Sequence, residues 1–168
     1  MSRPLILAAT LAAASLLSSL PASAVETFVV EGEEHCVVNV ASWDRLNMRD
    51  EPNAGGDIVT RLRYGDCGIV VTGGPVGNWY PVEDGHYEGW VNGKYISMVS
   101  PSMYCVSGVD DDDVLNLRDW PSAVSKIILE IEPDACDIAF LPYAVGGWQK
   151  VRFDGYEGWV KAEFVSGQ

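Results

Sequence analysis

Positive charge is scarce in this chain. Eleven Lys and Arg stand against 24 Asp and Glu, a formal net charge of −13 over 168 residues. Surfaces that hold nucleic acid or anionic lipid need clustered Lys and Arg, so the composition argues against both partners. Histidine is nearly missing, with His35 and His86 alone. Zinc sites usually draw on close Cys pairs or Cys–His pairs, and here no two cysteines are near in sequence, so no metal is implied. Long apolar runs are lacking too. The one run, Leu5 to Leu17, has 13 residues, well short of the roughly 20 that span a bilayer. Beyond it, no window of helical length carries an apolar stripe at helical spacing.

What is present begins with a leader. Residues 1–24 place Arg3 before the apolar run and end on small residues, with Ala22 and Ala24 where a signal peptidase needs them. The expectation is a signal peptide cleaved after Ala24, leaving a mature protein that is periplasmic or secreted. Removing Arg3, the leader's single charged residue, takes the formal charge from −13 to −14.

The main feature is a repeat. YEGWVNGKYIS at 87–97 returns as YEGWVKAEFVS at 156–166. Residues 36–97 lie over 105–166 at a constant offset of 69 without a gap, and about 23 of the 62 paired positions are identical. They cluster in RLNMRDEP against VLNLRDWP, in VGNWYPV against VGGWQKV, and in YEGWV. A unit of this length exceeds most solenoid repeats and suits a small autonomous domain. The organisation expected is a signal peptide (1–24), an N-terminal linker (25–34), a first domain (35–97), a linker (98–104) and a second domain (105–168).

Cysteine spacing repeats with the rest: Cys36 to Cys67 is 31 positions, as is Cys105 to Cys136. Four cysteines allow three pairings, and spacing alone does not choose among them. A duplicated spacing inside a duplicated sequence favours one bridge per copy, Cys36–Cys67 and Cys105–Cys136. A bridge closing a loop of that length adds about 3–4 kcal/mol in the chain-entropy account.

Each copy reads as all-β. Leu46 and Met48 alternate with Asn47 and Arg49, as Leu115 and Leu117 do with their neighbours. CGIVV and CDIAF give a second alternating stretch, and DEPNAGGD, TGGPVGN and EDGH are turn material. Short strands at close spacing suggest a small, partly closed barrel.

The ordered set L-N-[ML]-R-D-x-P, then G-x-W-x-x-V, then G-W-V with an aromatic four residues on, resembles the bacterial SH3-like (SH3b) domain. Both copies carry it, so the resemblance covers nearly the whole mature chain. It implies two tandem SH3-like β-barrels of five to seven strands that recognise ligands rather than transform them. Family members commonly target cell-wall enzymes and are thought to bind peptidoglycan or its peptide stems. Wall-targeting members are often basic, and this acidic chain departs from them. The partner implied is peptidoglycan or cell-wall peptides; the alternative is an adaptor whose partner is an envelope protein.

Within YEGWV, Tyr87 and Trp90 are expected to fill and border the barrel, Gly89 to admit a neighbouring backbone, and Val91 to be core; Tyr156, Gly158, Trp159 and Val160 take the same roles. Trp79 falls on the strand face opposite Val82, and Trp148 on the face opposite Val151, so both are expected at least partly exposed. By analogy with eukaryotic relatives of the barrel, Trp79 with Tyr95 and Trp148 with Phe164 are the candidate ligand platforms. The run Asp110 to Asp113 lacks the alternating ligands and turn glycine of a calcium loop and reads as a solvated turn. Catalysis finds no support: bridged cysteines offer no thiol, no histidine recurs between copies, and Glu88 or Glu157, one per barrel, makes no acid–base pair. No cofactor is implied.

Overall fold

Leu46 and Met48 are buried while Asn47 and Arg49 stay half-exposed, and Leu115 and Leu117 alternate with Asn116 and Arg118 in the same way. That period of two is what a pleated strand with one face on a core produces. The computed structural model describes residues 24–167; apart from Ala24, the expected leader lies outside them. Among the described residues no helix is long and apolar enough to cross a membrane.

The first copy supplies β1 (Glu34–Val37), β2 (Leu46–Arg49), β3 (Ile58–Leu62), β4 (Ile69–Val71), β5 (Trp79–Glu83), β6 (Glu88–Asn92) and β7 (Ile96–Met98). They form one antiparallel sheet in the order β3-β2-β6-β5-β4-β1-β7. The second copy repeats it with β8 (Tyr104–Val106), β9 (Leu115–Arg118), β10 (Ile127–Ile131), β11 (Ala139–Val145), β12 (Trp148–Phe153), β13 (Tyr156–Lys161) and β14 (Val165–Gly167). Its order is β10-β9-β13-β12-β11, with β14 and β8 paired beside it and tied to it by a Tyr104–Ile138 bridge. A single turn of 3-10 helix precedes the last strand in each copy, Gly93–Tyr95 and Ala162–Phe164.

Each sheet wraps its own core. Val37, Met48, Ile69, Val82, Val91 and Ile96 anchor the first, and Val106, Leu117, Ile131, Ile138, Val151 and Val160 the second. Cys36 is bonded to Cys67, and Cys105 to Cys136. Each bridge links the first strand of its copy to the segment leading into the fourth, β4 or β11, and the pairing is the one the duplicated spacing favours. Disulfides of this kind suit an oxidising compartment.

Gly89 and Gly158 admit a neighbouring strand: a Cβ on Gly89 would lie 2.6 Å from the Arg49 carbonyl oxygen, and one on Gly158 would lie 2.7 Å from that of Arg118. Val91 and Val160 are fully buried, as expected. The tyrosines of the same motif differ from expectation. Tyr87 and Tyr156 are about half exposed, because each stands at the hairpin turn where the strand has not yet entered the barrel. The Tyr87 amide is held there by Asp84 Oδ1 at 2.8 Å.

Residues 25–34, read from the sequence as a linker, run along the first barrel and enter it at Glu34, the first residue of β1. Met98 N–H donates to Phe28 O at 2.7 Å and Gly32 N–H to Val71 O at 2.8 Å. His35 joins this segment to β1. Its ring is fully buried; Nε2 accepts from Val30 N–H at 3.1 Å, and Nδ1–H donates to Glu33 O at 2.9 Å. The pattern needs a neutral imidazole.

A third apolar cluster lies between the barrels. Ala139, Leu141 and Tyr143, on the face of β11 turned away from its own core, pack against Cys36, Val38 and Val99. Tyr143 Oη donates to Val37 O at 2.8 Å, and Tyr64 meets its ring edge-on at 5.3 Å. Burial pushes the Tyr143 hydroxyl well above the ordinary phenol range. At the margin, Arg152 forks Glu34 through two bonds of 2.8 and 2.9 Å and also takes Glu157 at 2.9 Å. A planar fork fixes orientation as well as distance, so this contact is directional. Ser100 adds a reciprocal pair with Phe140, accepting from its N–H at 2.9 Å and donating to its O at 3.2 Å.

Two outcomes follow from this packing. Gly89→Ala or Gly158→Ala should each destabilise the protein by about 1–3 kcal/mol in denaturant unfolding, since the carbonyl that a Cβ would strike is part of the sheet. Acidification should act in two stages. Burial holds His35 below its ordinary value, near 6.5. A base depressed in this way leaves stability whole above about pH 6.5 and loses it as the pH falls toward the folded value. Glu34 is held below the carboxylate range, chiefly by its hydrogen bonds to Arg152, so its contribution is lost below about pH 4.3. Thermal melting across this range should show both losses, and His35→Gln should remove the upper one. A midpoint flat between about pH 7 and about pH 5 would contradict the role given to His35.

Candidate functional site

Trp79 opens β5 and pairs with Asn92 of β6. A tight turn holds it, with Trp79 N–H donating to Val76 O at 3.1 Å and Val76 N–H to Trp79 O at 2.9 Å. Val82, three residues on, is buried in the barrel, so alternation puts Trp79 on the outer face, half-exposed. Tyr95 reaches the same place from the 3-10 turn. Asn92 caps that turn by accepting from Lys94 N–H at 3.2 Å. Gly93 lets the turn lie on the Tyr80 ring, where a Cβ would fall 2.5 Å from Tyr80 Cε2. The two aromatics thus line one open cleft of about 550 Å³. Its other walls are the loop after β1, with Asp44 and Arg45, and the outer edge of β2, with Asn47 and Arg49.

The second copy has the equivalent cleft, about 390 Å³, with Trp148 and Phe164 in the matching positions. The pairs Trp79 with Tyr95 and Trp148 with Phe164 are therefore each brought together. Here Ala162 stands where the first copy has Gly93, and Gln149 where it has Tyr80. Without a ring below, the turn accepts a Cβ.

One expectation about this pair is corrected. Trp148 is only 8% exposed, although it lies outside the barrel core. Its cross-strand partner is Lys161, where the first copy has Asn92. The Lys161 ammonium stands 5.0 Å from the Trp148 ring centroid. Alternation sets the face of the strand correctly, but the residue opposite then covers the ring. Strand direction alone does not report such a lid.

Arg49 and Arg118 brace the clefts. Arg49 Nη1 donates to Gly56 O at 2.6 Å and Arg118 Nη1 to Ser125 O at 2.7 Å, each holding the loop that follows its strand. Their recurrence in the LNxRD run is the sequence signal for this role. Asp110 and Asp113 line the second cleft, in a turn closed by Asp113 N–H donating to Asp110 O at 3.0 Å. All four aspartates of that run are exposed. Among the described residues no group of three or more His, Cys, Asp or Glu side chains is arranged to hold a metal ion. Glu157 is engaged by Arg152 at 2.9 Å and Lys150 at 3.2 Å. Arg45, Lys94 and Lys161 escape sequence reasoning because they do not recur; they are visible only where the copies are compared for their differences.

Two models described as Bacterial SH3 domain match the chain, one over residues 44–97 and the other over residues 111–167. The chain therefore belongs to the bacterial SH3 domain family and carries two copies in tandem. Among curated proteins none matches. Two solved structures from Trichomonas vaginalis are similar. NlpC1 is 12% identical with a TM-score of 0.37 over 86% of this chain and 49% of its own. NlpC2 is 13% identical with a TM-score of 0.38 over 82% of this chain and 48% of its own. The chain thus spans about half the length of these proteins.

The Lys161 lid has a direct check. Lys161→Ala should uncover Trp148, raising collisional quenching of its indole fluorescence in a variant that keeps the other tryptophans constant. The change in stability should be small, about 0.5–1 kcal/mol. Unchanged quenching would mean that Lys161 is not what covers the ring.

Proposed function

We propose that this chain is an exported, non-catalytic binding protein of the cell envelope whose aromatic clefts take up peptidoglycan or its peptides. The observation that carries the reading is the convergence of Trp79 and Tyr95 on one open cleft, with Trp148 and Phe164 on its counterpart. An aromatic face with a few polar groups around it suits sugar rings and peptide planes alike, and the first cleft falls within the range of small-ligand sites. The binding-module character of the family supports the same reading.

The four cysteines are bridged, and His35 has both ring nitrogens committed to backbone groups. Export rests on the N-terminal leader and is supported by the two disulfides, which persist outside reducing compartments. The alternative, an adaptor for an envelope protein, draws on Trp43, Trp120 and Val124, which are 87%, 69% and 95% exposed.

Sedimentation of the mature protein with purified sacculi tests the primary reading. Trp79→Ala should weaken retention about tenfold with the fold unchanged by circular dichroism. Trp148→Ala should weaken it less, because its ring is covered. Retention that ignores both substitutions, or capture of one envelope protein that falls steeply with salt, would favour the adaptor.

A further inference from the structure

The two clefts share their scaffold but not their charge. Arg45, Arg49 and Lys94 line the first, three of that copy's five basic residues, the others being Arg61 and Arg63. Asp44 is the single carboxylate on the same walls. In the second copy Arg45 is replaced by Val114, Lys94 by Glu163 and Ala41 by Asp110. There two cations, Arg118 and Lys161, face two carboxylates, Asp110 and Asp113, and Lys161 already lies on Trp148. An acidic protein has thus concentrated positive charge in one cleft and not in its duplicate.

Those cations are not neutralised. Among the described residues the ion pairs involve Lys150 and Arg152 alone. Arg45 Nη1 donates to the Asp44 carbonyl at 2.7 Å, and Arg49 donates to the Gly56 carbonyl. The Lys94 ammonium sits 4.6 Å from the Tyr95 ring centroid. Asp44 spends Oδ1 on the Arg45 backbone N–H at 2.7 Å. Carbonyls and a ring face orient a cation without cancelling its charge. The chain's overall negative charge does little to oppose this, because solvent-exposed charges beyond about 8–10 Å are screened at physiological salt.

We infer that the first cleft, and not the second, binds a short peptide through a free carboxylate. Arg45 and Lys94 receive the carboxylate while Trp79 takes the adjoining peptide plane. The inference rests on the reading of the clefts given under the proposed function and adds the chemical class of ligand and the choice between the copies. Trp43, on the loop between Ala41 and Asp44, supplies an exposed aromatic beside the cleft; the matching residue of the second copy is Asp112.

The test is a nuclear magnetic resonance titration of the whole mature protein, following the indole N–H signals. The probes are acetylated Ala-Glu-Ala as the free acid, acetylated Ala-Gln-Ala amide, and glycerol phosphate. The free acid should shift Trp79 and leave Trp148 still, and the amide should bind at least fivefold more weakly. Arg45→Gln with Lys94→Gln should bring the two peptides to equal affinity, and Arg45→Lys should restore much of the preference. Equal affinity of acid and amide in the native protein overturns the inference while leaving the aromatic cleft standing. So does a response at Trp148, glycerol phosphate binding as tightly as the free acid, or no response at millimolar peptide. If the free acid binds Trp79→Ala unchanged, with its preference over the amide intact, the reading of the cleft as an aromatic platform fails instead.

Discussion

A barrel closed from about sixty residues buries too little apolar surface to be secure alone. Each copy meets that constraint with a disulfide across its first strand. The protein then adds a second remedy available only to a tandem. The outer face of β11, which in a lone barrel would meet solvent, carries Ala139, Leu141 and Tyr143 and is buried against Cys36, Val38 and Val99. The first disulfide thereby becomes part of an interdomain core, while the second stays half-exposed on the far barrel. Tyr143 reaching the Val37 carbonyl, and Arg152 gripping Glu34, make that contact directional as well as apolar.

Duplication separates two kinds of residue. Positions kept in both copies are largely scaffold: the buried Leu of LNxR, the Arg that braces the following loop, the Gly that admits a carbonyl, the Val of GWV. Several of the positions that differ line the clefts. Asn92 against Lys161 decides whether the cleft tryptophan is open or covered, and Arg45 with Lys94 against Val114 with Glu163 decides its charge.

Much of this architecture is legible in one dimension. Strand alternation placed Leu46, Met48, Val82 and Val91 in the core and Trp79 outside it, because a pleat sends neighbours to opposite faces and that rule is local. The cysteine spacing anticipated both bridges. The departures share a cause. Tyr87 and Tyr156 look like core residues by type yet stand at a turn, where the strand has no barrel beneath it. Trp148 has the right direction and the wrong exposure, because a lysine on the next strand lies over it. Residues 25–33 lack any periodic signal and still run along the first barrel by backbone hydrogen bonds.

What the amino-acid sequence determined by itself is the repeat, the β character of each copy, the pairing of cysteines and the pairs of aromatics on each cleft. The first three follow from short-range order or from comparing the chain with itself, and the aromatic pairs from the resemblance to relatives of the barrel. Only the tertiary structure decided how the barrels meet, which disulfide is enclosed, and which cleft is open. Those outcomes depend on residues far apart in the chain, such as Tyr143 with Val37 and Arg152 with Glu34, or on cross-strand neighbours such as Lys161 and Trp148. A cross-strand or interdomain contact has no periodicity to read, because it is set by how surfaces fit after the local elements have formed.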